Sequence, residues 1–341
     1  MKPSAKAVFL AALSVLLAVT GCAHHHGPAP GQLTLGMVTD VGGLGDRSFN
    51  DGAYSGLLRA RSELNAYVQV LQSRSAADYQ PNLIALSNLH VGMIYAIGFL
   101  MGLDLDQVAK ANPQQQYAII DAVVDDPNVV SITFREQDGS FLAGALAAMM
   151  SKTHQIAFLG GQDIPLLRKF EAGYVAGARE IDPSIVVAVK YVGSFDDVAA
   201  GQELSDVLYN GGADVIYTAA GKAGLGTASA VKSRSNAWMI GVDSDQDGLV
   251  PGKVLTSMVK KVDVAVFDVA KALQEGKPVH GHIILGLKDG AIGLTDFRYT
   301  KAAIGAANLA RLAKIQAAIV SGKIVPPASR EELANFKPVS L

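Results

Sequence analysis

Short apolar runs alternate with amphipathic stretches along most of this chain, and that alternation admits few folds. Apolar runs at 33–39, 67–71, 93–97, 117–120 and 129–133 are separated by stretches of helical period at 48–64, 79–88 and 104–111. A second series follows, with runs at 155–159, 185–191, 214–217 and 238–242 and helical stretches at 166–180, 197–209 and 223–233. Apolar runs of this length predict strands buried on both faces of a parallel sheet flanked by helices. Two series predict two doubly wound α/β lobes, divided near 134–140, where an extended segment meets a helix at 141–150. A length of 341 residues is large for one core. Half the residues are hydrophobic, and 18% are charged against a usual value of about 25%, which suits tightly packed α/β layers.

After residue 242 the pattern predicts a strand at 254–259, a helix at 262–274, further strands from 279 and a helix at 302–320. A tail that returns after both lobes are complete implies several crossovers, and several crossovers make a hinge. The expected division gives 33–136 with about 258–278 to the N-terminal lobe, and 137–242 with about 279–330 to the C-terminal lobe. A ligand cleft lies between them.

The N-terminus reads as an export signal: Lys2 and Lys6, an apolar run at 7–19, then Val19-Thr20-Gly21-Cys22. That run is shorter than the roughly 20 residues a bilayer span needs. No later segment of spanning length is free of charges or glycine breaks, so a transmembrane protein is not expected. Cys22 is the only cysteine, which rules out an intramolecular disulfide. Small residues before a cysteine at the end of an apolar run resemble a bacterial lipobox. Residues 1–22 are therefore expected to be a lipoprotein signal peptide, with Cys22 carrying the acyl chains that anchor the protein to a membrane. Residues 23–32, rich in Ala, Pro and Gly, form a flexible tether. His24-His25-His26, with no second cluster, reads as a polar tail. The net charge is −2 and no basic stripe is present, which argues against a nucleic-acid partner.

In open parallel sheets, ligands bind beyond the carboxyl ends of the strands. Those positions hold Asp40, Asp121, Gly160-Gly161, Ser194-Phe195, Ala220-Gly221 and Asp243. One strand-end aspartate is as readily a helix cap. Three across a cleft are acceptors for a neutral ligand rich in hydroxyl donors, and they are poorly suited to phosphate. Lys260, closing the strand at 254–259, would balance their charge. In "DVGGLGDRSFND", residues 40–51, Ser48-x-x-Asp51 has capping-box spacing and puts Phe49 and Asn50 in the first helical turn. Phe49 offers a flat face to a planar ring, and the Asn50 amide offers a donor and an acceptor to its edge. Catalytic signals are weak. Residues 221–226 read G-x-x-G-x-G, which lacks the dinucleotide fingerprint. The G-x-S-x-G and H-E-x-x-H motifs are absent, and His90, His154, His280 and His282 are scattered. No cofactor and no enzymatic activity are expected.

"DVGGLGDRSFND", "AIIDAVVDDPNVVSITFREQDGSFLAG", "YVGSFDD", "ADVIYTAAGKAGLG", "IGVDSDQ" and "VLTSMVKKVDVAV" together resemble the basic membrane protein family. These are substrate-binding lipoproteins of ABC importers, including the purine nucleoside receptor group. The resemblance implies a type I periplasmic-binding-protein fold, with a monomer outside the cytoplasm that captures a nucleoside between its lobes and delivers it to an ABC permease. It also assigns roles. Phe49 and Phe195 match the stacking pair, Asn50 the base-reading amide, Asp40 the acidic residue beside the base, and Asp121, Asp243 and Lys260 the ribose-contacting set. The chain departs from the family pattern at "SNLHVGMIYAIGFL", which lacks the usual aspartate before the third strand, and at Lys222 in the glycine loop. The alternative is the same fold binding a sugar or another small metabolite, or acting as a sensor.

Overall fold

The computed structural model describes residues 27–339. Cys22 with the expected lipobox, His24-His26 and the first part of the tether lie outside the described residues.

The first lobe is built from β1 (Thr34–Thr39), α1 (Phe49–Glu63), β2 (Tyr67–Gln72), α2 (Tyr79–Asn88), β3 (Met93–Ile97), α3 (Gly102–Ala111), β4 (Tyr117–Ile120) and β5 (Val129–Phe134). The second contains α4 (Glu136–Met150), β6 (Gln155–Gly160), α5 (Pro165–Ile181), β7 (Val186–Tyr191), α6 (Val198–Asn210), β8 (Val215–Ala219), α7 (Leu225–Lys232), β9 (Trp238–Asp243) and β10 (Val254–Lys260). The chain then alternates between lobes through α8 (Val262–Gln274), β11 (Gly281–Leu285), β12 (Ile292–Leu294), α9 (Lys301–Val320) and α10 (Arg330–Asn335).

Two six-stranded sheets result, ordered β11-β5-β4-β3-β1-β2 and β12-β10-β9-β8-β6-β7. The orders correspond one for one, so β4 of the first lobe and β9 of the second are equivalent, as are β5 and β10. All neighbours are parallel except β12, which runs antiparallel to β10. Central strands such as β3 and β8 are buried along their whole length, whereas the edge strand β7 is half exposed. This is the reason continuous apolar runs marked the central strands. Helices α4 and α5 pack closely in the second lobe: a β-carbon at Gly144 or Gly177 would fall 1.9 Å from a carbonyl oxygen of the facing helix.

The chain crosses between lobes three times, at 134–136, 260–262 and 285–292. Two expected boundaries move. Strand β10, through Lys260, belongs to the second sheet and not to the first lobe, and β11, expected in the second lobe, pairs in parallel with β5 of the first. An apolar run carries no mark of which sheet edge it joins. Helix α4 also begins at Glu136, five residues before its expected start. Its first turn carries Glu136, Gln137, Asp138 and Ser140, all buried, and this polar run disguised a helix that starts inside the molecule.

Among the described residues, α9 alone is long and apolar enough to cross a membrane by length and composition. It buries Ile304, Leu312, Ile315, Ala318 and Ile319, and its backbone breaks at Gly305.

Candidate ligand-binding site

The carboxyl ends of both sheets converge on one cavity, where open parallel sheets bind their ligands. Asp40, Phe49, Asn50 and Asp121 from the first lobe and Phe195, Gly221, Asp243 and Lys260 from the second all line it. The structure therefore brings these eight residues together, whereas Gly160, Gly161, Ser194 and Ala220 do not line the cavity.

The loop from Asp40 to Ser48 is organised by its own carboxylates. Asp40 Oδ1 accepts from Gly42 N at 2.9 Å and from Asn50 Nδ2 at 2.8 Å. Asp46 Oδ1 accepts from the Ser48 and Asp51 amides, and its Oδ2 accepts from the Asn50 amide and, at 3.2 Å, from Asn50 Nδ2. The expected capping box is not formed: Ser48 makes no side-chain cap, and Asp46 holds the first turn of α1 in its place. The Asp46 carboxylate reaches the N–H groups of the N-cap Ser48 and of Asn50 and Asp51 in the first turn at once, which one serine hydroxyl cannot do. The Asp51 carboxylate turns back instead to the Gly45 and Arg47 amides.

Ser48 is thereby free to face the second lobe, where its hydroxyl lies 3.1 Å from both Val242 O and Asp243 Oδ2. Ser244 Oγ donates to Ser48 O at 2.8 Å and Gln246 Nε2 to Arg47 O at 3.0 Å. These bonds join the lobes beside the cavity.

At the inner end of the cavity, Lys260 Nζ lies 2.6 Å from Asp121 Oδ2, 3.7 Å from Asp243 Oδ1 and 3.9 Å from Glu136 Oε1. It also sits 4.7 Å from the centre of the Phe49 ring. Burial alone would lower the Lys260 pKa, but the three carboxylates reverse this and hold it above the ordinary lysine range. Burial pushes Asp243 up to about 6, with Lys260 opposing, and pushes Asp40 up to about 6 against the bonds from Asn50 and Gly42. Glu136 is also raised by burial, opposed by Lys260 and by Lys169, whose Nζ lies 2.6 Å from Glu136 Oε2.

Asn50 Oδ1, Asp121 Oδ1, Asp243 Oδ1 and Glu136 Oε1 are buried acceptors without a hydrogen-bond partner among the described residues. Orphaned buried acceptors are uncommon in folded proteins, and the first three belong to residues lining one cavity. Asp121 and Asp243 also hold left-handed backbone conformations, φ 72° and 63°, of the kind that clusters at binding sites. Opposite the Asp40 loop, the Phe195 ring occupies the space a side chain at residue 161 would take: a β-carbon on Gly161 would sit 2.3 Å from Phe195 Cδ1. Among the described residues, no group of three or more His, Cys, Asp or Glu is placed to hold a metal ion.

Sequence reasoning missed Asp46, Glu136 and the apolar wall of Leu166, Leu167 and Phe170. Asp46 could have been found, because an aspartate two residues before the N-cap, here Ser48, has Asx-turn spacing. The wall could not, since its residues follow the same helical period as the core face of α5.

The site thus combines aromatic rings from two lobes with acceptors that need hydroxyl or N–H donors. Residues 33–328 match the family described as Bmp, ABC transporter substrate-binding protein PnrA-like. The ABC transporter nucleoside-binding protein BmpA of Lactococcus lactis subsp. cremoris is 34% identical over 355 residues, covering 96% of this chain and 100% of its own. The CD4+ T-cell-stimulating antigen of Listeria monocytogenes is 36% identical over 319 residues, covering 87% and 88% respectively. The crystal structure of an ABC transporter system solute-binding protein from Aeropyrum pernix K1 superposes with a TM-score of 0.83 at 29% identity, covering 89% of this chain and 96% of that one. This chain therefore belongs to the Bmp family of PnrA-like ABC transporter substrate-binding proteins.

Proposed function

We propose that this protein captures a purine nucleoside between its lobes and delivers it to an ABC permease as a monomer held outside the cytoplasm by a lipid anchor on Cys22. One observation carries the ligand assignment: the unpartnered oxygens of Asn50, Asp121 and Asp243 belong to residues of a single cavity that Phe49 and Phe195 line from opposite lobes. A nucleoside offers a flat base to the two rings, N–H groups to Asn50 and Asp40, and ribose hydroxyls to Asp121 and Asp243, with Lys260 donating to a ring or hydroxyl oxygen. A sugar would meet the acceptors and leave the rings without a planar partner. A nucleotide phosphate would meet Asp40, Asp46, Asp121 and Asp243 with Lys260 as the one cation lining the cavity among the described residues. The nucleoside-binding name of the Lactococcus relative supports the same reading.

Calorimetry across nucleosides, free bases, pentoses and nucleoside monophosphates tests it. Nucleosides should bind tightest and be recovered unchanged, and Phe49→Ala and Phe195→Ala should each cost about ten-fold or more in affinity while the protein stays folded. Pentoses binding as well as nucleosides would overturn the assignment. Cys22→Ser should move the exported protein from the membrane fraction to the soluble one.

A further inference from the structure

We infer that Asp46 sets which base the cavity accepts: it locks the Asn50 amide so that the base edge facing Asn50 and Asp40 must present two adjacent N–H donors, as guanine does at N1 and N2. The inference rests on the nucleoside reading of the site and goes one step further, to the identity of the base.

An amide usually offers a base one donor and one acceptor, and can turn over to suit either arrangement. Asn50 has no such freedom. Its Nδ2 donates to Asp40 Oδ1 at 2.8 Å and to Asp46 Oδ2 at 3.2 Å. Turning the amide over would bring its carbonyl oxygen against two carboxylate oxygens. Asp46 cannot move to relieve this, because its two oxygens also hold the backbone amides of Ser48, Asn50 and Asp51 at the start of α1. Only Oδ1 of Asn50 remains for a ligand, and it is buried without a partner. Beside it, both bonds that Asp40 makes use Oδ1, which leaves Oδ2 as a second acceptor.

Two neighbouring acceptors select among the bases by elementary chemistry. Guanine answers both, with N1–H and its N2 amino group side by side. Hypoxanthine has N1–H alone. Adenine and cytosine each set an amino group beside a ring nitrogen acceptor, which would face an oxygen. Uracil has one N–H flanked by two carbonyls. A buried site that loses a polar partner discriminates strongly against the ligand that lacks it.

The test is a series of guanosine, inosine, adenosine and 1-methylguanosine, titrated against the unaltered protein at pH 7.5. Inosine and adenosine should each bind at least about ten-fold more weakly than guanosine, and 1-methylguanosine should lose at least as much. Adenosine or inosine binding as tightly as guanosine overturns the inference while leaving the nucleoside reading intact. Failure of all four to bind overturns that reading itself. Asp46→Asn frees the amide, so its guanosine-to-adenosine affinity ratio should move toward one, a readout that a purely structural helix cap would not change. A folded Asp46→Asn protein with an unchanged ratio overturns the role of Asp46, and the ligand series decides the base preference even if that variant does not fold.

Discussion

Asp121 and Asp243 occupy equivalent positions in the two lobes, one leaving β4 and the other closing β9, and both turn through a left-handed conformation toward the same ammonium group, Lys260. They differ in how they meet it. Asp121 Oδ2 pairs with Lys260 at 2.6 Å, across the lobes, whereas Asp243 stands at 3.7 Å and has Ser48 of the opposite lobe as its hydrogen-bond partner. Each keeps one oxygen, Oδ1, without a hydrogen bond. A duplicated topology thus places two carboxylates, one from each lobe, around a single buried cation.

Asp243→Ala should separate ribose recognition from base recognition. Without that acceptor, a buried hydroxyl loses its partner, so nucleoside affinity should fall by about ten- to a hundred-fold. Free-base affinity should change little, because Asp40, Asn50 and the two rings are untouched. Calorimetry with a nucleoside and its base decides the matter, and equal losses for the two ligands would mean that Asp243 does not read the sugar.

Gly161→Ala tests whether the Phe195 ring must stand where it does. A methyl group there would lie 2.3 Å from Phe195 Cδ1 and 2.4 Å from Cε1, far inside van der Waals contact, so the ring must turn away. Affinity for an aromatic ligand should drop by about ten-fold, in line with a lost base–aromatic stack. The melting temperature should change less than for a core truncation, because Phe195 is only partly buried. Unchanged affinity would show that the ring contributes no stacking.

The fold was legible because its central strands are buried on both faces and read as uninterrupted apolar runs. The polar side chains that fix the site were partly legible, for a different reason: Asp40, Asp121, Asp243 and Lys260 sit at strand ends, where doubly wound sheets place their ligands. Three kinds of information were hidden. The exchange of β10 and β11 between lobes depends on which sheet edge is open, and no local pattern records that. Glu136 lies in a polar run that resembles a loop, although it is fully buried against Lys260 and Lys169. Ser48 and Asp46 have the spacing of two different caps, and the choice between them follows from the second lobe, whose Val242 and Asp243 engage the Ser48 hydroxyl.

Affinity and stability should respond oppositely to acid. Burial pushes Asp40 and Asp243 up to about 6, above the usual carboxylate range. A raised carboxyl pKa means that the folded protein binds the proton more tightly than the unfolded chain. The contribution of these groups to stability therefore grows as pH falls through 6. Ligand hydroxyls need the ionised acceptor, so nucleoside affinity should weaken over the same interval. Melting curves of the unliganded protein and titrations from pH 7.5 to 5.5 measure both trends, and Asp243→Asn should remove that residue's share of each. Affinity constant across the range would show that neither carboxylate reads the ligand in its ionised form.

Lys260→Met keeps the length of the side chain and removes its charge, which leaves Asp121, Asp243 and Glu136 buried without their central cation. Breaking a buried ion pair by removing one partner costs about 3–5 kcal/mol, so a large loss of stability is expected at pH 7.5. The sign of its pH dependence is fixed by the same carboxylates. Without the ammonium group the folded-state pKa values of Asp243 and Glu136, already raised by burial, rise further, so the destabilisation is greatest where these two are ionised and shrinks as acid neutralises them. The difference between variant and parent should therefore narrow from pH 7.5 to 5.5. Adding Asp121→Asn to Lys260→Met should recover part of the loss at pH 7.5 by removing one uncompensated charge. A variant whose deficit is the same at both pH values, and is not relieved by the second substitution, would show that Lys260 stabilises the protein through packing and not through its three carboxylates.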